Sequence, residues 1–330
     1  MYNPLFNYII SNQFIAGLVI IAIGLLVWEV RGILVAVFIS YVIMSALYPA
    51  AKFLMDRKVP KILAIVIPYL IVLSLVVLLI LPLLPFFVAQ IQSLFENLPV
   101  FVRQSSEALG ISIQASQISS YLTSSLEGFT RNAFTVTTKI FGGIFSVLTI
   151  IIVSFYLLVY HDRLDRFFVA FFPRSLDPAV ARIIADIEIK LGAWLRGQIF
   201  LSFTVGFLTW VALKILGLEF ALPLALLAGI LEIVPTIGPI ISAIPAVIVA
   251  FAISPSMAAI TALAYTGIQL AENNFLVPKI MQKAVGLNPV IVIVAILMGA
   301  KLMGVLGALL AVPFVSVIVI IYKAIRHLEE

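Results

Sequence analysis

The 330-residue sequence has no cysteine, two histidines and only 11% charged residues. Without cysteine there are no disulfides, thiolate metal sites or cysteine nucleophiles, and two histidines leave little material for a multi-histidine metal centre. A soluble domain carries roughly a quarter charged residues, so 11% excludes a soluble globular enzyme. HExxH, GxSxG, Walker A and GxGxxG are all absent, which removes the signatures of metalloproteases, serine hydrolases, nucleotide-driven pumps and dinucleotide enzymes. No two glycines stand four apart, so a glycophorin-like dimer face is not visible. The expectation is a protein that is not an enzyme and that holds no cofactor or metal.

What the chain has in excess is apolar: 63% of residues belong to the hydrophobic set, with a mean hydropathy of +1.23. The net charge of +5 is spread between apolar runs, which reads as membrane topology and not as a nucleic-acid footprint. Runs long enough to cross about 30 Å of hydrocarbon at 1.5 Å per residue lie at 9–28, 33–51, 62–88, 140–160 and 197–216. The first reads as a retained span and not a cleaved signal peptide, because no Lys or Arg precedes it and no small-residue cleavage pattern follows. Beyond Leu216 the apolar runs at 220–234, 238–253, 256–277, 288–300 and 303–322 are interrupted by Pro, Gly and polar breaks.

The predicted fold is therefore an all-α polytopic membrane protein with about five ordinary spans, followed by two broken or re-entrant hairpins, at 220–253 and 288–322, around one further span. The predicted units are an amino-terminal scaffold of three spans over 1–88, an outward polar and amphipathic segment over 89–139, two spans with a cytoplasmic amphipathic helix at 177–195 over 140–216, and a transport region over 217–330. Basic residues set the orientation. Lys52, Arg57, Lys58 and Lys61 in one loop, and Arg163, Arg166, Arg174, Arg182, Lys190 and Arg196 in another, are expected to face the cytoplasm, which by parity also receives both termini. Asp177 and Pro178 open the amphipathic helix, which is expected to lie along the inner face.

Three constellations are candidates for function. The run EIVPTIGPIISAIP places Glu232, Pro235, Thr236, Gly238, Pro239 and Pro245 in an apolar setting, where the prolines withhold backbone donors and the glycine allows a tight turn. Lipid cannot satisfy backbone groups released in this way, so such a segment must be buried in protein or line a cavity, and an ionisable Glu232 there is a functional candidate. A second group, Gln269, Glu272 and Asn273 with Pro278 beyond, offers a carboxylate and amides on one helical face, suited to hydroxyls or a small cation; it equally reads as the polar end of a helix. The third, GAKLMGVLGALLAVP, carries Gly299, Lys301, Gly304, Gly307 and Pro313 and suits a hairpin tip, with Lys301 either meeting Glu232 or reaching water. Arg196, Gln198, Trp210, His161 and Asp162 are minor candidates, as anchors or polar caps.

These three runs, in this order and with the basic loop and the LGAWLRGQ stretch, resemble the signature of the autoinducer-2 exporter family of permeases over nearly the whole chain. Asn288 stands where that pattern has histidine, which argues against a proton role there. The resemblance implies a bacterial or archaeal inner-membrane transporter that assembles as a homo-oligomer such as a pentamer. It implies export of autoinducer-2 in some members and exchange of sodium or lithium for protons in others, so Na+ or H+ coupling is one expectation. It points to Glu232, Pro235, Gly238, Pro239, Gln269, Glu272, Asn273, Pro278, Gly299, Gly304, Gly307 and Pro313 as functional positions. The expected partners are the bilayer and a small solute or cation. A scaffold or partner-binding role built on 89–139 is the alternative from another class.

Overall fold

A computed structural model describes residues 13–75, 100, 103, 133–235, 237–281 and 288–329. Every element among them is helical. In chain order they are α1 (Gln13–Asp56), α2 (Lys61–Leu75), α3 (Ala133–Val159), α4 (His161–Ala170), α5 (Asp177–Ile215), α6 (Ala221–Leu231), α7 (Ile237–Ile253), α8 (Pro255–Ala271), a π-turn (Glu272–Leu276), α9 (Val277–Met281) and α10 (Pro289–Glu329). Large apolar side chains such as Leu25, Phe145, Phe203, Leu263 and Val305 are exposed along these helices, as lipid-facing surfaces require.

Among the described residues three helical stretches are by length and composition long and apolar enough to span a bilayer, Gly17–Asp56, Asp177–Ile215 and Val290–Arg326, the last of them folded back at an internal break, and a fourth counts if Phe145–Val159 and His161–Ala170, bent by 76°, are one crossing. The spans expected at 9–28 and 33–51 are thus corrected: α1 is one helix of 44 residues. Glu29, Arg31 and Gly32 lie between the two expected runs, and one glycine costs a helix only about 1 kcal/mol. Arg31 folds back on its own helix, donating to the Trp28 carbonyl at 3.0 Å with its guanidinium 4.1 Å from that ring's centre. Likewise the amphipathic stretch at 177–195 does not stop before the next span; both belong to α5, in which Pro178 sits in the first turn. Of the outward segment at 89–139, only 100, 103 and 133–139 are described, and the span at 62–88 is described to Leu75.

α1 and α5 pack closely at a break in the α1 ladder. Pro49 lies inside α1 and has no N–H for the Ser45 carbonyl. Gly192 of α5 lies so close to that carbonyl that a side chain would collide with it. Arg196, one turn further, donates to the Ala46 carbonyl at 3.0 Å and reaches the Ser45 carbonyl at 3.4 Å.

A polar cluster ties α1, α2, α4 and α5 together. The His161 ring stacks on Tyr48 with centroids 4.4 Å apart, and its Nε2 lies 2.8 Å from Glu188. Its Nδ1 faces Asp165 at 3.5 Å and Asp162 at 3.8 Å, and Lys61 holds Asp162 at 2.6 Å. Burial alone lowers the imidazole's pKa, but the Glu188 hydrogen bond and charge, with Asp165 and Asp162, outweigh it and hold it above its ordinary range. The Lys61 bond holds Asp162 below the usual carboxylate range, whereas burial raises Asp165. The raised histidine contributes stability that is complete below an unfolded pKa of about 6.5 and is lost as pH rises through the folded value. Thermal unfolding in detergent is therefore expected to show a falling midpoint on that alkaline side. His161→Phe, which retains the stacking, should flatten this limb; an unchanged limb would exclude His161 as its origin.

The carboxy-terminal half contains two helical hairpins, at the expected positions. α6, at 11 residues, reaches roughly 16 Å and returns as α7 through a turn at Glu232–Pro235. α10 breaks at Met303 (φ −139°, ψ 17°) and Gly304 (φ 62°, ψ −142°), the latter a backbone conformation that favours glycine. Its two arms close so tightly that the Gly299 and Gly307 backbones meet.

Candidate functional site

The tip of the first hairpin is closed by hydrogen bonds within the chain. Val234 N–H donates to the Leu231 carbonyl at 3.0 Å, Ile237 to Pro235 at 2.8 Å and Gly238 to Val234 at 3.0 Å. A side chain at Gly238 would strike the carbonyl of Leu231, so this glycine brings the start of α7 against the end of α6. The expectation that the prolines leave backbone groups free is only partly met: the turn consumes its own amides, and the Glu232 carbonyl accepts from Gln198 Nε2 of α5 at 2.7 Å. What the tip contributes is a side chain.

That side chain is Glu232, fully buried, and among the described residues no donor reaches either of its oxygens. Its carboxyl faces that of Glu272, 2% exposed, which begins the π-turn after α8. Gln269 donates to Glu272 Oε2 at 3.0 Å. Gln198, 1% exposed, keeps its Oε1 buried and unpartnered beside the tip. The surrounding apolar cluster draws Trp194 and Leu201 from α5, Val234 from the tip, and Ile296, Ala308 and Val312 from the second hairpin. Two carboxyls in apolar surroundings, with amides and no basic residue bound to them among the described residues, form a group that can exchange a proton or hold a small cation or hydroxylated solute.

The structure thus brings Glu232, Gly238, Gln269 and Glu272 together. Pro239 is buried in the first turn of α7, Pro235 is half-buried in the tip, and Thr236 lies outside the described residues. Asn273 is exposed, because the buried stripe of this helix runs through Thr261, Tyr265 and Glu272, and Asn273 lies about 100° around from it. Pro278 is also exposed. In the second hairpin Gly307 and Pro313 are buried, whereas Lys301 and Gly304 are exposed, and Lys301 makes no ion pair with Glu232. Pro245 is half-buried within α7. Gln198 stood among the minor candidates; its signal was a lone amide in an apolar run. A cavity of about 460 Å³ between α5 and α6, lined by Ser202, Phe203, Phe207, Trp210, Leu222 and Ile230, is mostly apolar and contains none of these carboxyls.

Long apolar helices with exposed apolar faces define a membrane protein, and its pattern of residues places it among transporters. The chain belongs to the AI-2E transporter family, whose pattern matches residues 15–327. It is 29% identical to YueF of Bacillus subtilis over 284 residues, which cover 80% of this chain and 77% of that one. It is 24% identical to YrrI of the same organism over 302 residues, 87% of this chain and 83% of that one. It is also similar to the AI-2 transport protein TqsA of Escherichia coli, 26% identical over 320 residues, 91% of this chain and 90% of that one.

Proposed function

We propose that this protein is a secondary transporter of the bacterial inner membrane that exports a small polar solute of the autoinducer-2 type by alternating access at its broken helices. The observation that carries this reading is the fully buried Glu232 at a hairpin tip, facing Glu272 from a second broken helix. Transporters place substrate and coupling sites where such helices are interrupted. The amides of Gln198 and Gln269 suit a hydroxylated solute, and the similarity to TqsA supports that class. In this reading 1–88 and the outward segment form a scaffold, the region over 217–330 moves against it, and the subunits assemble as a homo-oligomer with cytoplasmic termini.

A second reading, sodium or lithium exchange for protons, is favoured by one feature: two buried carboxyls face each other with no basic side chain bound to either among the described residues. Purified protein in proteoliposomes with an internal pH dye separates the two. Saturable flux of labelled autoinducer-2 that Glu272→Gln lowers or makes insensitive to pH supports the exporter. Sodium-driven change of luminal pH without solute flux assigns the antiporter. Neither activity would overturn both readings.

A further inference from the structure

Buried hydroxyls continue away from the carboxyl pair on two facing helices. On α5, Gln198, Ser202 and Thr209 fall at i, i+4 and i+11, one face of the helix. On α8 and its π-turn, Thr261, Tyr265 and Glu272 repeat that spacing. The two helices run antiparallel: Leu201 and Val205 share an apolar cluster with Ile268, and Leu213 shares another with Ala258 and Tyr265. Gln198 therefore lies toward the Glu272 end and Thr209 toward the Thr261 end. Each stripe extends eleven residues, roughly 16 Å.

Among the described residues none of these hydroxyls has a partner. Ser202 Oγ, Thr209 Oγ1, Thr261 Oγ1 and the Tyr265 hydroxyl are all buried without a hydrogen bond, as is Gln198 Oε1. Thr209 is 1% exposed, Thr261 0% and Tyr265 8%. The same helices supply a control. Exposed Thr204 of α5 bonds back to the Phe200 carbonyl at 2.8 Å, and exposed Thr266 of α8 to Ala262 at 2.8 Å. Threonine hydroxyls in a helix ordinarily take that local acceptor. The inward ones leave it, and burying a hydroxyl without a partner is unfavourable. Ordered water satisfies such groups in protein interiors, bridging polar atoms that have no protein partner.

We infer that Thr209, Thr261 and Tyr265 line an internal file of water that carries protons between the far ends of α5 and α8 and the Glu232–Glu272 pair. This rests on the pair being the coupling centre. At each water one O–H bond forms as another breaks, the hydroxyls are regenerated, and the last proton is taken by a carboxylate oxygen of the pair. Tyr265, Glu232 and Glu272 are the titratable groups on this track among the described residues, while Lys214 and Glu219 stand exposed near its far end.

The test uses the full chain in proteoliposomes with an internal pH dye, an imposed pH gradient and a valinomycin-set potential. Thr209→Val, Thr261→Val and Tyr265→Phe remove only hydroxyls, and their combination should slow the luminal pH change by about tenfold or more. A wild-type rate in that variant, with Glu272→Gln slow, overturns the path and keeps the pair. Wild-type rates in both, or no pH change in the wild type, remove the pair's role and the path together. X-ray hydroxyl-radical labelling of the unaltered protein decides the matter if the variants fail to fold. Tyr265 should be labelled well above Tyr69, which is equally buried but hydrogen-bonded to Ser154 at 2.6 Å. Equal background labelling overturns the path.

Discussion

Gly238→Val is expected to abolish recovery of monodisperse protein, while Gly267→Ala, one helix away, leaves it unchanged or slightly improved. The first adds atoms where the Leu231 carbonyl already stands, and backbone on both sides of the contact gives no flexible side chain that could move aside. Overpacking a core costs about 1–3 kcal/mol when side chains can adjust, and here the turn itself must open. Opening it would separate the Gly238 N–H from the Val234 carbonyl and withdraw Glu232 from Gln198. At Gly267 nothing lies within 4 Å of an added methyl group, and alanine is worth up to about 1 kcal/mol more than glycine within a helix. Size-exclusion profiles and thermal midpoints in detergent measure both. Equal recovery of the two variants would mean that the hairpin is not closed as described.

Glu232→Gln is expected to leave assembly intact and to reduce proton-coupled flux on the order of 10- to 100-fold, the range of typical coupling free energies. Glutamine keeps the shape and hydrogen-bonding reach but cannot take up or release a proton. Since the Glu232 carboxyl faces Glu272, the two should act as a unit. The double variant Glu232→Gln, Glu272→Gln should then be little worse than either single one, in contrast to the additivity of distant sites. Additive losses would show that the carboxyls serve separate steps. Full flux in Glu232→Gln would reduce this residue to a structural role at the tip.

Much of this was legible in the sequence because proline, glycine and an ionisable residue in an apolar run leave few alternatives. EIVPTIGP had to turn, and the turn is where the structure has it. The long helices were less legible: Gly32 and Gly192 look like the same signal, yet the first is an ordinary helical position and the second a contact with α1. Asn273 shared a face with Gln269 by spacing, but which side of that face is buried depends on α5, over 50 residues away in the chain. The track was invisible for a related reason. Single threonines in apolar helices resemble Thr204 and Thr266 until the packing shows which hydroxyls turn inward.

The Arg196 contact has a consequence for biosynthesis. Ser45 is made and inserted 151 residues before the arginine that reaches its carbonyl exists. Chains fold from the amino terminus as they are made, and a carbonyl without a donor is costly in hydrocarbon. The early helix therefore carries that open carbonyl until α5 is made. The guanidinium is then a late fastening, and the order of synthesis makes it a checkpoint: a chain stalled or cut before Arg196 carries an open defect in its first span.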